Sequence, residues 1–175
     1  MRNDFLKTVQ GFIAVVAMGP SSLRNQGLGV LKKAQDFCSK LNLQNYSNLN
    51  EGQFKNQLDL DTLKLIKALQ LKNKPWGTAR KALNLFLRES LYNKYLSKEY
   101  SLDKIEKFLE IPLDQVVSHA LTKLETKGQL PKWRSLKSLD KEESGKFQEF
   151  AQELAEKEYH IARVHLDIYL WTKNR

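Results

Sequence analysis

Residues 74–89, KPWGTARKALNLFLRE, carry apolar side chains around nearly the whole circumference of a helix. A helix of that kind has to be surrounded by other elements, because one lying on a surface keeps its charges on a single solvated stripe. Arg80, Lys81, Asn84 and Arg88 interrupt the apolar pattern from within. Long cationic side chains seldom go fully inside without a partner. Their heads therefore either snorkel to water or face something polar that the chain must hold.

The rest of the chain reads as helices around that centre. Almost every segment repeats its apolar residues at helical spacing, and no run of alternating β-branched residues appears. A first helix over Asp4–Met18 stops at GPSS, and a second starts within SSLRNQGLG and continues through VLKKAQDFCSKL, with Val30, Leu31, Ala34, Phe37, Cys38 and Leu41 on its apolar face. After the polar loop NLQNYSNLNEG, DLDTLKLIKALQ forms a short amphipathic helix with acids at its positive end. LKNKPWG is a loop, and TARKALNLFLRESLYNKYL is the longest helix. SLDKIEKFLE begins on a serine cap; IPLDQVVSHALTKLETKG has Pro112 and Asp114 in its first turn and ends on Gly128. QLPKWRSLKSL is a basic connector. DKEESGKFQEFAQELAEKEYHIARVHLDIYLW is one helix, or two with a kink near Tyr159–His160. The apolar C-terminal segment either packs back on the core or forms a dimer contact. The pattern predicts an all-α fold, a single compact domain over residues 1–175 with two lobes and a cleft near residues 74–115.

At 175 residues the chain can bury a proper core. A net charge of +9 and a pI near 9.5 favour a polyanionic partner, nucleic acid before an acidic membrane surface. The lone cysteine, Cys38, allows no internal disulfide and points to a reducing, cytoplasmic compartment. Together with His119, His160 and His165 it also supplies too few clustered ligands for a structural zinc site, so no metal is expected. The apolar run GFIAVVAMG is far shorter than the roughly 20 residues of a membrane span. Asp4 and Gln10 interrupt it as a signal peptide core, and no small-residue cleavage site follows. No dinucleotide fingerprint, phosphate-binding P-loop, H-E-x-x-H or G-x-S-x-G is present. Arg163 and His165 are about 200° apart on a helix, so they do not converge as a catalytic pair. Their roles are structural, in an ion pair with Asp167 or a partly buried interface.

One constellation does carry chemistry. A loop with Pro75, Trp76 and Gly77 feeds the helix bearing Lys81, and EIPLDQVV sets Asp114 at the start of another. A lysine amine attacks an electrophilic carbon only when neutral, and burial disfavours the ammonium form. A carboxylate at a helix N-terminus stays ionised, and a loop before a helix can present N–H groups to phosphate.

In that order the parts resemble the helix-hairpin-helix DNA glycosylases. WGTARKALN is similar to their hairpin-plus-lysine element, and IPLDQVV to their aspartate turn. The long insert ESLYNKYLSKEYSLDKIEKFLE looks most like the archaeal 8-oxoguanine glycosylase branch, and the likeness spans residues 20–155. SSLRNQGLGVLKKAQDF resembles the early helix-loop-helix that wedges a polar side chain into the duplex. The resemblance implies a helix-hairpin-helix element and a monomeric DNA glycosylase with AP-lyase activity, without cofactor or metal, acting on damaged or abasic duplex. Lys81 is then the nucleophile and Asp114 the supporting acid. Arg24, Asn25 and Gln26 lie at the wedge, while Gly77, Arg80 and Arg88 contact phosphates. Trp76 and Trp171 read as core or interface anchors, whereas Trp133, flanked by Lys132, Arg134 and Lys137, suits contact with a strand. The alternative is a non-catalytic helical module that binds nucleic acid or an acidic protein. Its basic face would be Arg80, Lys81, Arg88, Lys94 and Lys98, used as interchangeable charges.

Overall fold

The computed structural model describes residues 2–73 and 75–173; Lys74, in the expected loop before the central helix, lies outside them. The described chain is all-α, with eight α-helices and no strand among those residues. They are α1 (Arg2–Ala17), α2 (Val30–Cys38), α3 (Glu51–Leu69), α4 (Trp76–Tyr92), α5 (Lys94–Tyr100), α6 (Gln115–Leu124), α7 (Lys141–Leu154) and α8 (Leu166–Lys173). Short 3-10 turns cover Leu43–Tyr46, Leu102–Phe108 and Arg163–His165, and α7 runs into a π turn over Ala155–Tyr159.

Helix α4 is the centre of the fold, as its all-round apolar pattern requires. Every residue from Gly77 to Leu87 is buried. Helices α1, α2, α3, α5 and α7 all pack on it. Two hydrophobic cores result. One joins Met18, Tyr46, Phe54, Leu58, Leu65 and Phe86. The other joins Ile111, Val117, Leu121, Phe147, Leu166 and Leu170, so the C-terminal segment packs back on the chain. Leu136 packs against both cores.

Polar capping fixes where the elements start. Asn50 and Gln53 form a reciprocal capping box on α3, and Asp140 caps α7 through the Glu143 N–H. The expected helix over 78–96 is in fact two. The Asn93 side chain accepts from the N–H groups of Tyr95 and Leu96, ending α4 and starting α5. Residues 20–29 are turns rather than the start of α2, because Gly27 and Gly29 take positive φ values of 134° and 72°. Ser101 also has a positive φ, of 51°, and makes no side-chain cap, so the segment after it winds as a 3-10 turn. Helix α6 ends at Leu124, before Gly128. Asp114 is its N-cap rather than a first-turn residue. The expected kink near Tyr159–His160 is a full break at His160, whose φ is 54°. No helix among the described residues is long and apolar enough to cross a membrane.

A lysine–aspartate cleft as candidate active site

Thr78, Lys81, Leu85 and Arg88 recur along α4 at three- and four-residue spacing, so they form one stripe. Lys81, Leu85 and Arg88 of that stripe floor a cleft of about 510 Å³. The end of α1 and the turn with Ser21 and Ser22 make one wall; Pro112 and Asp114 make another. Helix α8 closes the third side with Asp167, Ile168 and Trp171.

Lys81 Nζ lies 3.1 Å from Asp114 Oδ2. The other carboxylate oxygen, Oδ1, accepts from the Val117 N–H at 2.9 Å. Capping α6 thus fixes the rotamer that faces the lysine, while the turn at Pro112 brings the acid across to α4. The Lys81 side chain is only 8% exposed and Asp114 28%, so the amine reaches the cleft from inside a packed helix. Two helical turns further along, Arg88 is ion-paired with Asp167 of α8 and also binds Glu89 at 2.8 Å. Lys81 balances Asp114 and Arg88 balances Asp167, which leaves the cleft lining close to neutral. Apolar walls with a few fixed donors and acceptors suit an uncharged planar ring better than a phosphate.

Several residues expected at the DNA surface are engaged elsewhere. Arg80 points away from the cleft and is 6% exposed. Its guanidinium grips Glu110 with two bonds of 2.9 and 3.1 Å, donates to Asp59 and Thr62 at 2.8 Å each, and stacks 5.0 Å over Trp76. Asn84 adds a donor to Glu110 at 3.0 Å. With four of its five N–H donors engaged and little of it exposed, this cation, expected at a phosphate, forms a buried tie between α3, α4 and the segment before α6. Arg88, also expected at a phosphate, is 14% exposed and bound to two carboxylates. Gly77 spends its N–H on the Leu139 carbonyl at 3.2 Å. A Cβ there would fall 2.4 Å from the Leu136 carbonyl oxygen, so the glycine is required by close packing rather than by an anion. Trp133 is half-buried and lies edge-on to Phe147, 6.0 Å between centroids, as part of the second core.

Near the cleft rim, Gln26 is tied down: it accepts from Thr78 Oγ1 at 2.6 Å and donates to the Arg24 carbonyl at 3.1 Å. Arg24 and Asn25 are exposed, Asn25 with a φ of 63°. Trp171, expected as an anchor, is 42% exposed on the cleft wall.

Neither Arg163 nor His165 makes an ion pair with Asp167 in the bonds observed. Arg163 donates to the Phe108, Leu109 and Gln148 carbonyls, and burial draws its pKa down. His165 bridges Glu106 and the Tyr92 hydroxyl, each at 2.7 Å. These are the partly buried interface contacts. Asp167 and Glu110 are the residues that sequence reasoning missed as partners of the α4 cations. Asp167 did leave a signal, as a lone acid within the apolar run HLDIYLW. Among the described residues, no cluster of three His, Cys, Asp or Glu side chains could hold a metal ion. Compared with protein-family models, curated proteins and solved structures, the chain matches none.

Proposed function

We propose that the protein is a DNA glycosylase with AP-lyase activity that excises a damaged base, an oxidised purine in the nearest reading, through Lys81. The observation that carries this reading is the Lys81–Asp114 contact at the floor of a near-neutral cleft large enough for a flipped base. Asp114 takes a proton from the amine, whose lone pair attacks the sugar C1′. The C1′–N bond breaks and its electron pair leaves with the base, which picks up a proton. Asp114, having taken the amine proton, hands it to the departing base and, ionised again, faces the positive charge left on the sugar, while Asp167 stays paired with Arg88. The C1′–O4′ pair then goes to O4′, leaving an imine between C1′ and Nζ. Loss of the C2′ proton expels the 3′ phosphate with the C3′–O electron pair, cutting the strand.

A flipped base leaves a gap in the duplex. Leu28 is fully exposed, 101%, on a turn held by the Gln26–Thr78 bond, and it stands next to Gly27, which packs on Leu71. Exposed Arg24 and Lys72 belong to the same pair of loops. We assign the wedge to this apolar side chain, in place of the polar Asn25 or Gln26, since apolar wedges between base steps stabilise opened duplexes. Damaged or abasic duplex DNA is the proposed partner and the working form a monomer in the cytoplasm. Of the five cations on which the binding-module alternative relies, Arg80, Lys81 and Arg88 are buried against carboxylates, while Lys94 and Lys98 are exposed.

The test is single-turnover excision on duplexes with one 8-oxoguanine. Wild type should release the base and nick the strand, Lys81→Gln should do neither while still binding, and Leu28→Ala should slow the duplex reaction about tenfold. Binding without excision or nicking by the wild type, on oxidised and abasic duplex alike, contradicts the proposal.

A further inference from the structure

We infer that the outer face of α1 and the groove between α1 and α5 form a second binding site, one for a single-stranded nucleic-acid segment. Phe5, Phe12 and Val16 are spaced so that they fall within about 40° of one another around α1. All three are solvent-facing, at 48%, 65% and 52% exposure. No charged residue occurs from Thr8 to Leu23, so this face is an uncharged apolar strip on a chain of net charge +9. One end of the strip reaches Ala17, which lines the cleft. The other end opens, about 16 Å away along the helix, into a groove of about 570 Å³ between α1 and α5.

That groove combines rings and cations. Phe5 and Tyr95 meet edge to face, 5.1 Å apart, and Tyr95 is 48% exposed. Arg2 is paired with Glu99 at 2.6 Å, so the surplus charge rests on Lys94 and Lys98; Lys94 sits 5.0 Å over the Tyr95 ring. Exposed aromatic faces in series with a positively charged groove are what an unpaired strand needs: bases stack and the backbone meets cations. A duplex offers no such base faces, and a run of acidic side chains has no aromatic ring to stack on Phe12. The inference concerns a surface apart from Lys81 and does not depend on chemistry there.

The test is fluorescence anisotropy with fluorescein-labelled (dT)12 over a salt series. Lys94→Ala/Lys98→Ala should weaken binding about tenfold and reduce the salt slope by about 1.4, the value for two phosphates on a single strand. Phe12→Ala, at an exposed position, should weaken binding about tenfold with the slope unchanged. Lys123→Ala/Lys127→Ala, which removes the same charge from the exposed end of α6 and the turn after it, should leave the affinity within twofold. Equal losses in the two double variants, no loss in Phe12→Ala, no binding of (dT)12 by the wild type, or competition by polyglutamate as strong as by unlabelled (dT)12 would each overturn the assignment. Excision and trapping at Lys81 are read separately, on duplex, so failure of this site leaves the proposed chemistry standing.

Discussion

Replacing Arg80 by methionine should damage the fold rather than the affinity for DNA. The side chain is 6% exposed and holds Glu110, itself 11% exposed, with two charge-assisted bonds. Without the guanidinium, Glu110 keeps only the Asn84 amide among its observed donors. Asp59 fares better, being 24% exposed and still paired with Lys141 at 2.6 Å. Stranding one buried carboxylate in this way costs about 3–5 kcal/mol, and the surviving Lys141 pair places the loss near the lower end. For a chain of this size about 3 kcal/mol corresponds to a Tm lowered by about 6–12 °C. Calorimetry on Arg80→Met, Glu110→Met and the double variant is the assay. The double variant should lose less than the sum of the singles, because removing both partners leaves no orphaned charge. An Arg80→Met protein that melts within 1 °C of wild type yet binds DNA with a shallower salt slope would refute this reasoning and restore Arg80 as a phosphate contact.

Two further outcomes follow from the packing. Gly77→Ala places a methyl 2.4 Å from the Leu136 carbonyl oxygen and should cost about 1–3 kcal/mol in urea unfolding; unchanged stability would mean the connector moves freely. Burial and nearby Asp61 push the Cys38 thiol well above its ordinary value of 9.0, and the same influences raise Tyr46 above 10.0. Cys38 should therefore resist a thiol reagent until the chain unfolds. In the unfolded chain both groups release protons at alkaline pH that the native state retains, so stability is full below about pH 9 and falls as pH rises beyond it. Cys38→Ala should flatten part of that fall between pH 9 and 10.5, measured as urea midpoints.

The all-α fold was legible because periodicity alone reports helices, and the burial of α4 followed from its apolar circumference. Lys81 and Asp114 were legible as a pair only in order along the chain; their meeting depends on the turn at Pro112 and the cap on Val117. The destinations of Arg80 and Arg88 were not legible. Their partners, Glu110 and Asp167, arrive from distant segments, and nothing in local spacing tells a cation bound for a carboxylate from one bound for a phosphate. The Gln26–Thr78 bond was not legible for a similar reason, since it is a long-range contact. Leu28 looked unremarkable between two glycines whose left-handed backbone pushes it outward. Helix ends failed wherever a side-chain cap such as Asn93 divided a continuous apolar pattern.

The central claim is that Lys81 is a nucleophile held by Asp114. Its most direct test is borohydride trapping on an oligonucleotide duplex with one abasic site, where the amine of Lys81 condenses with C1′, water leaves, and hydride reduces the imine to a stable amine. The account predicts a covalent adduct with the wild type, none with Lys81→Gln, and a slower one with Asp114→Asn. Wild-type protein that binds the duplex without forming the adduct, or an adduct that survives Lys81→Gln, would contradict it.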